Sequence, residues 1–133
     1  MAFYLIDTNI LIDLAGKRQS TPFFDRLIDE PGLRLGTHIL CLAEYMAGAS
    51  SHEEAFLNKW LESGELEIIY LDAIDDAIRA GKWRRQYSLT LPDALILASA
   101  ARFKAHLLTN DDVFLKKAKT LLAATDPMTD LNH

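Results

Sequence analysis

Short apolar runs alternate with longer amphipathic stretches along this chain. Uninterrupted apolar runs are typical of strands whose two faces are both covered, and the run at 66–71 is the clearest of them. The last run consists of Leu and Ala and is a poor strand. The pattern predicts five strands, at residues 3–6, 33–36, 66–71, 106–109 and 121–125.

Helix start and stop signals lie between these runs. Gly16, Gly48 and Gly64 each follow an amphipathic stretch and are expected to end a helix. Ser51 and Glu54 have the spacing of a capping box, and Pro22 suits a first helical turn. We expect Thr37 and Asp72 to be helix caps. The predicted helices, caps included, span 9–15, 21–29, 37–47, 51–63, 72–87, 92–104 and 113–119.

Strands that alternate with one or two helices predict an α/β fold, with a parallel sheet and helices on both faces. No repeat or linker interrupts the pattern, so residues 1–133 are interpreted as a single domain. In open parallel sheets, binding sites form beyond the carboxyl ends of the strands. Asp7 and Asp111 both follow such ends and should lie at the same edge.

The composition favours a globular cytoplasmic protein. Hydrophobic residues make up 50% of 133 residues, and the single cysteine, Cys41, lies in an apolar stretch where a small buried hydrophobe is expected. The apolar runs are far shorter than a membrane span, and the N-terminus lacks a secretory signal.

The net charge of −5 argues against a simple electrostatic nucleic-acid binder. It does not exclude a nuclease, because an acidic metal pocket lowers the net charge while local basic clusters still hold phosphates. Each cluster alone is more typical of a solvated helix face. The basic residues that we consider for RNA contacts are Lys17, Arg18, Lys82, Arg84 and Arg85.

Four carboxylates occupy positions where charge is costly. Asp7 follows an apolar strand, Glu44 is the only charge within 39–50, Asp93 opens an apolar helix, and Asp111 closes the fourth strand. A buried, unpaired carboxylate neutralises, pairs or binds a metal. Together, the four predict one acidic pocket for divalent cations.

Each acid also has a simpler interpretation. Asp7 and Asp111 could be caps, Glu44 could form a buried salt bridge, and Asp93 could complement a helix dipole. Asp13 is set aside because we expect it to reach water. The remaining acids, Asp75 and Asp76 among them, lie in polar settings typical of solvated faces or caps.

The chemistry of the four acids favours a hard cation. Converging carboxylates about 4 Å apart repel by roughly 4 kcal/mol per pair, which a bound cation relieves. Oxygen ligands select Mg²⁺ or Mn²⁺ over zinc. The histidines lack the spacing of zinc ligands; they are His38, His52, His106 and His133.

Four blocks of the sequence resemble the signature motifs of the PIN domain family, in particular the VapC-type toxins of toxin–antitoxin systems. The resemblance spans residues 7 to about 114. The blocks, in order, are Leu5-Ile6-Asp7-Thr8-Asn9, Leu42-Ala43-Glu44-Tyr45, Pro92-Asp93-Ala94-Leu95-Ile96 and Leu108-Thr109-Asn110-Asp111.

The resemblance implies a three-layer sandwich with a five-stranded parallel sheet. It also implies that Asp7 and Asp93 are the principal ligands of Mg²⁺ or Mn²⁺, that Glu44 and Asp111 complete the catalytic pocket, and that Asn9 and Thr109 support it. The activity expected is endoribonuclease hydrolysis of RNA. The expected partners are a small VapB-like antitoxin and a second copy of the chain.

The predicted helix at 51–63 carries Phe56, Leu57, Trp60 and Leu61 at helical spacing. Core packing is the ordinary interpretation of such a stripe, and a groove for a dimer partner or an antitoxin is the functional one.

Other functions stay open. A haloacid-dehalogenase-type phosphatase would need an acid where Asn9 stands, and a receiver domain would need an acidic pair that the chain lacks. A PIN domain could also act in RNA maturation or decay, or bind RNA or a partner without cutting it. Family members commonly end in a β-branched strand, from which 121–125 departs. The sequence does not identify the RNA target, the antitoxin or the number of metal ions.

Overall fold

One parallel sheet organises the part of the chain that the structure describes. The structure is a computed structural model of residues 2–129; Met1 and residues 130–133, His133 among them, lie outside it. The sheet has the order β3-β2-β1-β4-β5, with every neighbouring pair parallel. Its strands are β1 Phe3–Ile6, β2 Arg34–His38, β3 Leu66–Ile69, β4 His106–Leu108 and β5 Ala124–Thr125.

Helices cover both faces of this sheet. Along β1, Leu5 packs with residues of the later helices on one face, while Ile6 packs with residues of the earlier helices on the other. This alternation is expected of a strand. The predicted α/β three-layer sandwich is therefore confirmed. The helices are α1 Thr8–Ala15, α2 Thr21–Leu27, α3 Ile39–Gly48, α4 Ser51–Glu62, α5 Asp75–Tyr87, α6 Leu91–Arg102 and α7 Asp112–Ala118.

Several element boundaries differ from the prediction. His38 rather than Thr37 caps α3, because β2 continues to His38, whose ring accepts a hydrogen bond from the backbone N–H of Leu40. The capping box of α4 is formed by Ser50 and Glu53, one residue earlier than predicted. Helix α5 begins only at Asp75, so Asp72 is not its cap.

The ring of Phe3, on β1, lies against Gly36 of the neighbouring strand β2. A Cβ atom at this position would lie 2.7 Å from Cε1 of the Phe3 ring, so only glycine fits without displacing the ring. The guanidinium of Arg34 stacks 4.3 Å from the centre of the same ring and pairs with Glu67 on β3. These contacts fix the lateral order of the first three strands.

The chain's path produces a crevice at the carboxyl ends of β1 and β4. From β1 the chain moves to β2 and β3 on one side, and it later returns to β4 and β5 on the other. The order of strands reverses at such a point, and ligands bind in the crevice that results. None of the helices within residues 2–129 has the length and apolar character that crossing a membrane requires.

Candidate metal centre

Asp7 lies at the centre of this crevice, directly after β1. Its side chain is only 8% exposed. Its Oδ1 accepts a hydrogen bond from the N–H of Thr8, which caps α1, and its backbone N–H donates to the carbonyl of Leu108. Capping and a functional role, which the sequence offered as alternatives, are thus compatible in one side chain.

Polar side chains from α1 and from the residue after β4 hold the other oxygen of Asp7. The hydroxyl of Thr109 donates to Oδ2 at 2.7 Å, and the amide of Asn9 donates to the same atom at 3.2 Å. Asn9 also accepts a bond from the N–H of Asn110. Asn9 and Thr109 therefore fix the orientation of the Asp7 carboxylate.

Asp93 reaches the crevice from the first turn of α6. Thr90 caps this helix by accepting a hydrogen bond from the N–H of Asp93. Burial raises the pKa of Asp93, and the negative charges of three acids raise it further; these are Asp7, Asp111 and Glu44. Asp93 thus lies close enough to each of the other three predicted acids to be repelled by it.

Glu44 and Asp111 lie at the rim of the site, and both are exposed. Oδ1 of Asp111 accepts hydrogen bonds from the N–H groups of Val113 and Phe114 and so caps α7. The two ion pairs within the described residues join Arg34 with Glu67 and Arg102 with Asp76. The interpretation of Glu44 as a buried salt bridge is therefore wrong.

Cys41 contacts the site, although the sequence indicated only a core residue. Its Sγ lies 3.5 Å from Oδ1 of Asp7, and burial together with the charge of Asp7 raises the pKa of the thiol to about 12. The thiol therefore stays protonated and donates to the carboxylate. The i, i+3 spacing of Cys41 and Glu44 on one helix was the signal that could have revealed this contact.

The donor set fits a hard divalent cation. All four acids supply oxygen, one is half-buried and repelled by its neighbours, and none belongs to an ion pair of the described residues. Within residues 2–129, no three acid, histidine or cysteine side chains are grouped as closely as the ligands of one metal ion. Mg²⁺ commonly takes one or two carboxylates and keeps several waters, which suits this wider arrangement.

The predicted RNA-contact residues fall into separate regions. Arg84 and Arg85 line a groove of about 470 Å³ with Leu91, close to Asp93 at the start of α6. Lys82 lines a different groove with Arg102, towards the far end of the same helix pair. Arg18 lies near Gly32, at the amino ends of the strands, and Lys17 precedes it there. Of these residues, only Arg84 and Arg85 line the groove at the start of α6, the helix that carries Asp93 in its first turn, and none of the four acids lines that groove.

A larger groove lies at the amino end of the sheet, between α2 and α4. Its volume is about 760 Å³. Of the predicted stripe on α4, Leu57 is fully buried, whereas Phe56 and Trp60 line this groove with Phe24 and Ile28. Ile28 is 73% exposed. Leu57 of the stripe therefore packs in the core, whereas Phe56 and Trp60 line the open groove.

Two acids that the sequence assigned to water are buried. Asp76 is 2% exposed and Asp13 is 6% exposed. Asp13 accepts hydrogen bonds from the backbone and hydroxyl of Ser20, and Asp76 binds Ser99 and Arg102. Both expectations were wrong because each acid finds hydrogen-bond donors from a segment elsewhere in the chain.

Comparisons with known proteins agree with this geometry. A protein-family model described as the PIN domain matches residues 4–120. No protein of curated function matches the chain.

Solved structures match nearly the whole length. A chain of a toxin–antitoxin complex from Klebsiella pneumoniae is 30% identical, with a TM-score of 0.71 over 93% of this chain and 97% of that chain. VapBC-1 from nontypeable Haemophilus influenzae contains a chain 21% identical, with a TM-score of 0.75 over 96% and 99% of the two chains. VapBC2 from Rickettsia felis, bound to a promoter DNA fragment, contains a chain 21% identical, with a TM-score of 0.71 over 92% of this chain and 97% of that chain. The two matches at 21% identity show likeness of fold alone.

Proposed function

Because this chain belongs to the PIN domain family, we propose that it is a metal-dependent endoribonuclease and the toxin of a VapBC-type toxin–antitoxin pair. One arrangement carries the nuclease proposal: Asp7, which is 8% exposed and held by Thr109 and Asn9, lies at the crevice of the sheet, and the carboxylate of Asp93 is close enough to be repelled by it. A fold that gains nothing from such repulsion would not be expected to concentrate it beside a buried Asp7.

Asp7 and Asp93 are the residues that would hold Mg²⁺ or Mn²⁺, with Glu44 and Asp111 acting directly or through water. A cation bound there supplies Lewis acidity to a phosphodiester and lowers the pKa of a nearby water. Glu44 and Asp111 are exposed, so either can accept a hydrogen bond from the attacking water. The products would carry 5′-phosphate and 3′-hydroxyl ends.

The surrounding residues prepare Asp7 for this role. Thr109 and Asn9 hold one carboxylate oxygen, while Thr8 and Cys41 donate to the other. Because every one of these donors is neutral, no positively charged side chain of the described residues occupies the place that a cation would take beside Asp7. A lysine or arginine in any of these places would compete with the metal.

Arg84 and Arg85 are the residues that we propose to hold the RNA backbone. They line the groove beside the start of α6, where a phosphate bound by either would lie near the acids. Leu91, which is 49% exposed, offers an apolar surface for a base in the same groove.

A segment of the antitoxin would occupy the groove between α2 and α4. Phe24, Phe56, Trp60 and the highly exposed Ile28 suit the apolar face of a partner helix, while charged residues such as Arg18 and Glu30 line other parts of the groove. The resemblance to a chain of a toxin–antitoxin complex over 93% of this chain supports a partner of this kind. We further propose that the protein forms a homodimer and acts on RNA in the cytoplasm.

Cleavage of an end-labelled RNA tests the proposal. The purified protein should cut in Mg²⁺ or Mn²⁺, stop cutting when a chelator is added, and leave products that a 5′-phosphate-dependent exonuclease degrades. Products with a 2′,3′-cyclic phosphate would exclude the proposed hydrolysis.

A further inference from the structure

A chain of buried hydrogen bonds joins the last residue of β2, which caps α3, to helices α5 and α6. Nε2 of His38 lies 3.0 Å from the hydroxyl of Ser99, and that hydroxyl lies 2.8 Å from Oδ2 of Asp76. Arg102 pairs with Asp76 and also donates to the carbonyl of Tyr70. We call His38, Ser99, Asp76 and Arg102 the buried network.

The protonation of the His38 ring fixes the direction of each hydrogen bond in the buried network. The Nδ1 atom of His38 accepts from the N–H of Leu40, so Nε2 carries the proton and donates to Ser99. Ser99 can then donate to the carboxylate of Asp76. Burial lowers the pKa of His38 to about 4, which keeps the ring neutral at neutral pH. His38, Ser99 and Asp76 thus satisfy one another.

The buried network does not touch the four acids, but it links the helices that carry two of them. His38 caps α3, and the next two turns of α3 bring Cys41 to Asp7 and carry Glu44. Ser99 lies on α6, which begins with Asp93 in its first turn. No hydrogen bond of the described side chains other than the one from His38 to Ser99 joins α3 or its cap to α6.

We infer that the buried network is a positioning device for the metal centre, which holds the start of α3 against α6 and thereby fixes Glu44 and Asp93 relative to each other. This role presupposes the proposed function, since the spacing of these acids matters only if they share a cation. His38, Ser99 and Asp76 are positioning residues and not catalytic ones.

A matched pair of variants tests the role of the hydroxyl at position 99. Ser99→Thr and Ser99→Val introduce side chains of nearly the same shape, and only the first keeps a hydroxyl. The probe is Mn²⁺ alone, titrated calorimetrically into folded wild type and both variants. Loss of a hydrogen-bond partner of a metal ligand commonly weakens metal binding by about 10-fold to 100-fold, and a residue that acts through two helices belongs at the lower end of that range. We expect Ser99→Val to bind Mn²⁺ about tenfold more weakly than Ser99→Thr.

His38→Asn provides a second test. Asparagine is a good helix cap, but it is too short to replace the bond from Nε2 to Ser99. We expect this variant to keep the helicity of α3 and to lose Mn²⁺ affinity as Ser99→Val does. In RNA cleavage, both changes should lower kcat at saturating Mn²⁺ and leave KM for RNA nearly unchanged, because neither residue lines the groove of Arg84 and Arg85.

The outcomes separate this inference from the proposed function. Equal Mn²⁺ affinity in Ser99→Thr and Ser99→Val, with a difference in melting temperature alone, would show that the buried network only stabilises the fold. Wild-type protein that binds Mn²⁺ without cutting any RNA would overturn the proposed function and leave the comparison of variants intact. Wild-type protein that binds no Mn²⁺ would overturn both.

Discussion

The hydroxyl of Thr109 donates a hydrogen bond of 2.7 Å to Oδ2 of Asp7, across 102 residues of sequence. The bond joins the ends of β4 and β1, the two strands at which the order of the sheet reverses. The same hydroxyl accepts from the N–H of Asp111. Thr109 thus links Asp7, the most buried of the four acids, to the backbone of Asp111, which is exposed.

Thr109 provides the sharpest test of how Asp7 is held. Thr109→Val preserves shape and removes the hydroxyl, and we expect a loss of about tenfold or more in Mg²⁺ affinity and in cleavage rate. Thr109→Ser keeps the hydroxyl and should stay within a few-fold of wild type. Metal titrations measure the Mg²⁺ affinity of each variant, and initial rates on one labelled RNA measure its cleavage. Equal rates for the two variants would mean that the hydroxyl plays no part in the site.

The basic residues divide into a near set and a far set. Arg84→Ala or Arg85→Ala should weaken RNA binding and reduce the slope of log affinity against log salt by about one for each phosphate that the variant no longer binds. Lys17→Ala and Arg18→Ala, at the opposite edge of the sheet, should leave both quantities unchanged. Fluorescence anisotropy with a non-cleavable RNA across a salt series makes the comparison. An effect confined to Lys17 and Arg18 would reverse the assignment.

The groove between α2 and α4 can be tested with two exposed isoleucines. Ile28→Asp places a charge in the groove and should weaken antitoxin binding by about tenfold or more. Ile74→Asp is the control. Ile74 is 71% exposed, nearly as much as Ile28 at 73%, but it lies outside the groove. Calorimetry with a candidate VapB-like antitoxin gives the affinities. Equal losses in both variants would argue against this groove as the antitoxin site.

Stability should fall in mild acid because of His38. Its pKa is about 4 in the folded protein against an ordinary value of 6.5, so the unfolded chain binds more protons between these values. Stability should therefore decrease as the pH falls from about 6.5 towards 4, by up to about 3 kcal/mol. Burial tends to raise the pKa of Asp76, but hydrogen bonds from Arg102 and its neighbours hold it below the ordinary value, which adds a loss at still lower pH.

Urea unfolding at a series of pH values measures this dependence. His38→Asn removes the titrating ring and should flatten the curve between pH 6.5 and 4 relative to wild type, even if its stability at pH 7 is lower. A wild-type curve that is flat over the same interval would mean that His38 titrates normally in the folded protein.

The four candidate acids stood out in the sequence because each ends or interrupts an apolar run. Asp7 follows an uninterrupted strand, and Asp93 opens a helix whose later residues are almost all apolar. The parallel sheet was predictable for the same reason, since strands covered on both faces have no polar side. Local sequence therefore contained most of what was needed for the fold.

Asp76 shows where local sequence is insufficient. Its neighbours are polar, and its burial comes from Ser99 and Arg102, which lie 23 and 26 residues later. The start of α4 was shifted by one residue because Ser50 with Glu53 and Ser51 with Glu54 have the same spacing. The weakness of the last strand was predictable. Only Ala124–Thr125 forms the strand, because the N–H groups of Leu121 and Leu122 bond back to the carbonyl of Ala118 at the end of α7.

Cleavage of labelled total cellular RNA by the purified protein in Mg²⁺ or Mn²⁺ tests the central claim most directly. We predict discrete cuts that disappear with a chelator and in the variants Asp7→Asn and Asp93→Asn. Asparagine is tolerated at the start of a helix, so both variants should keep the fold. Asp112→Asn, an exposed neighbour of Asp111, should cut as wild type does. Cuts that persist in Asp7→Asn and Asp93→Asn, or no cuts by folded protein shown to bind Mn²⁺, would contradict a metal-dependent ribonuclease at this crevice.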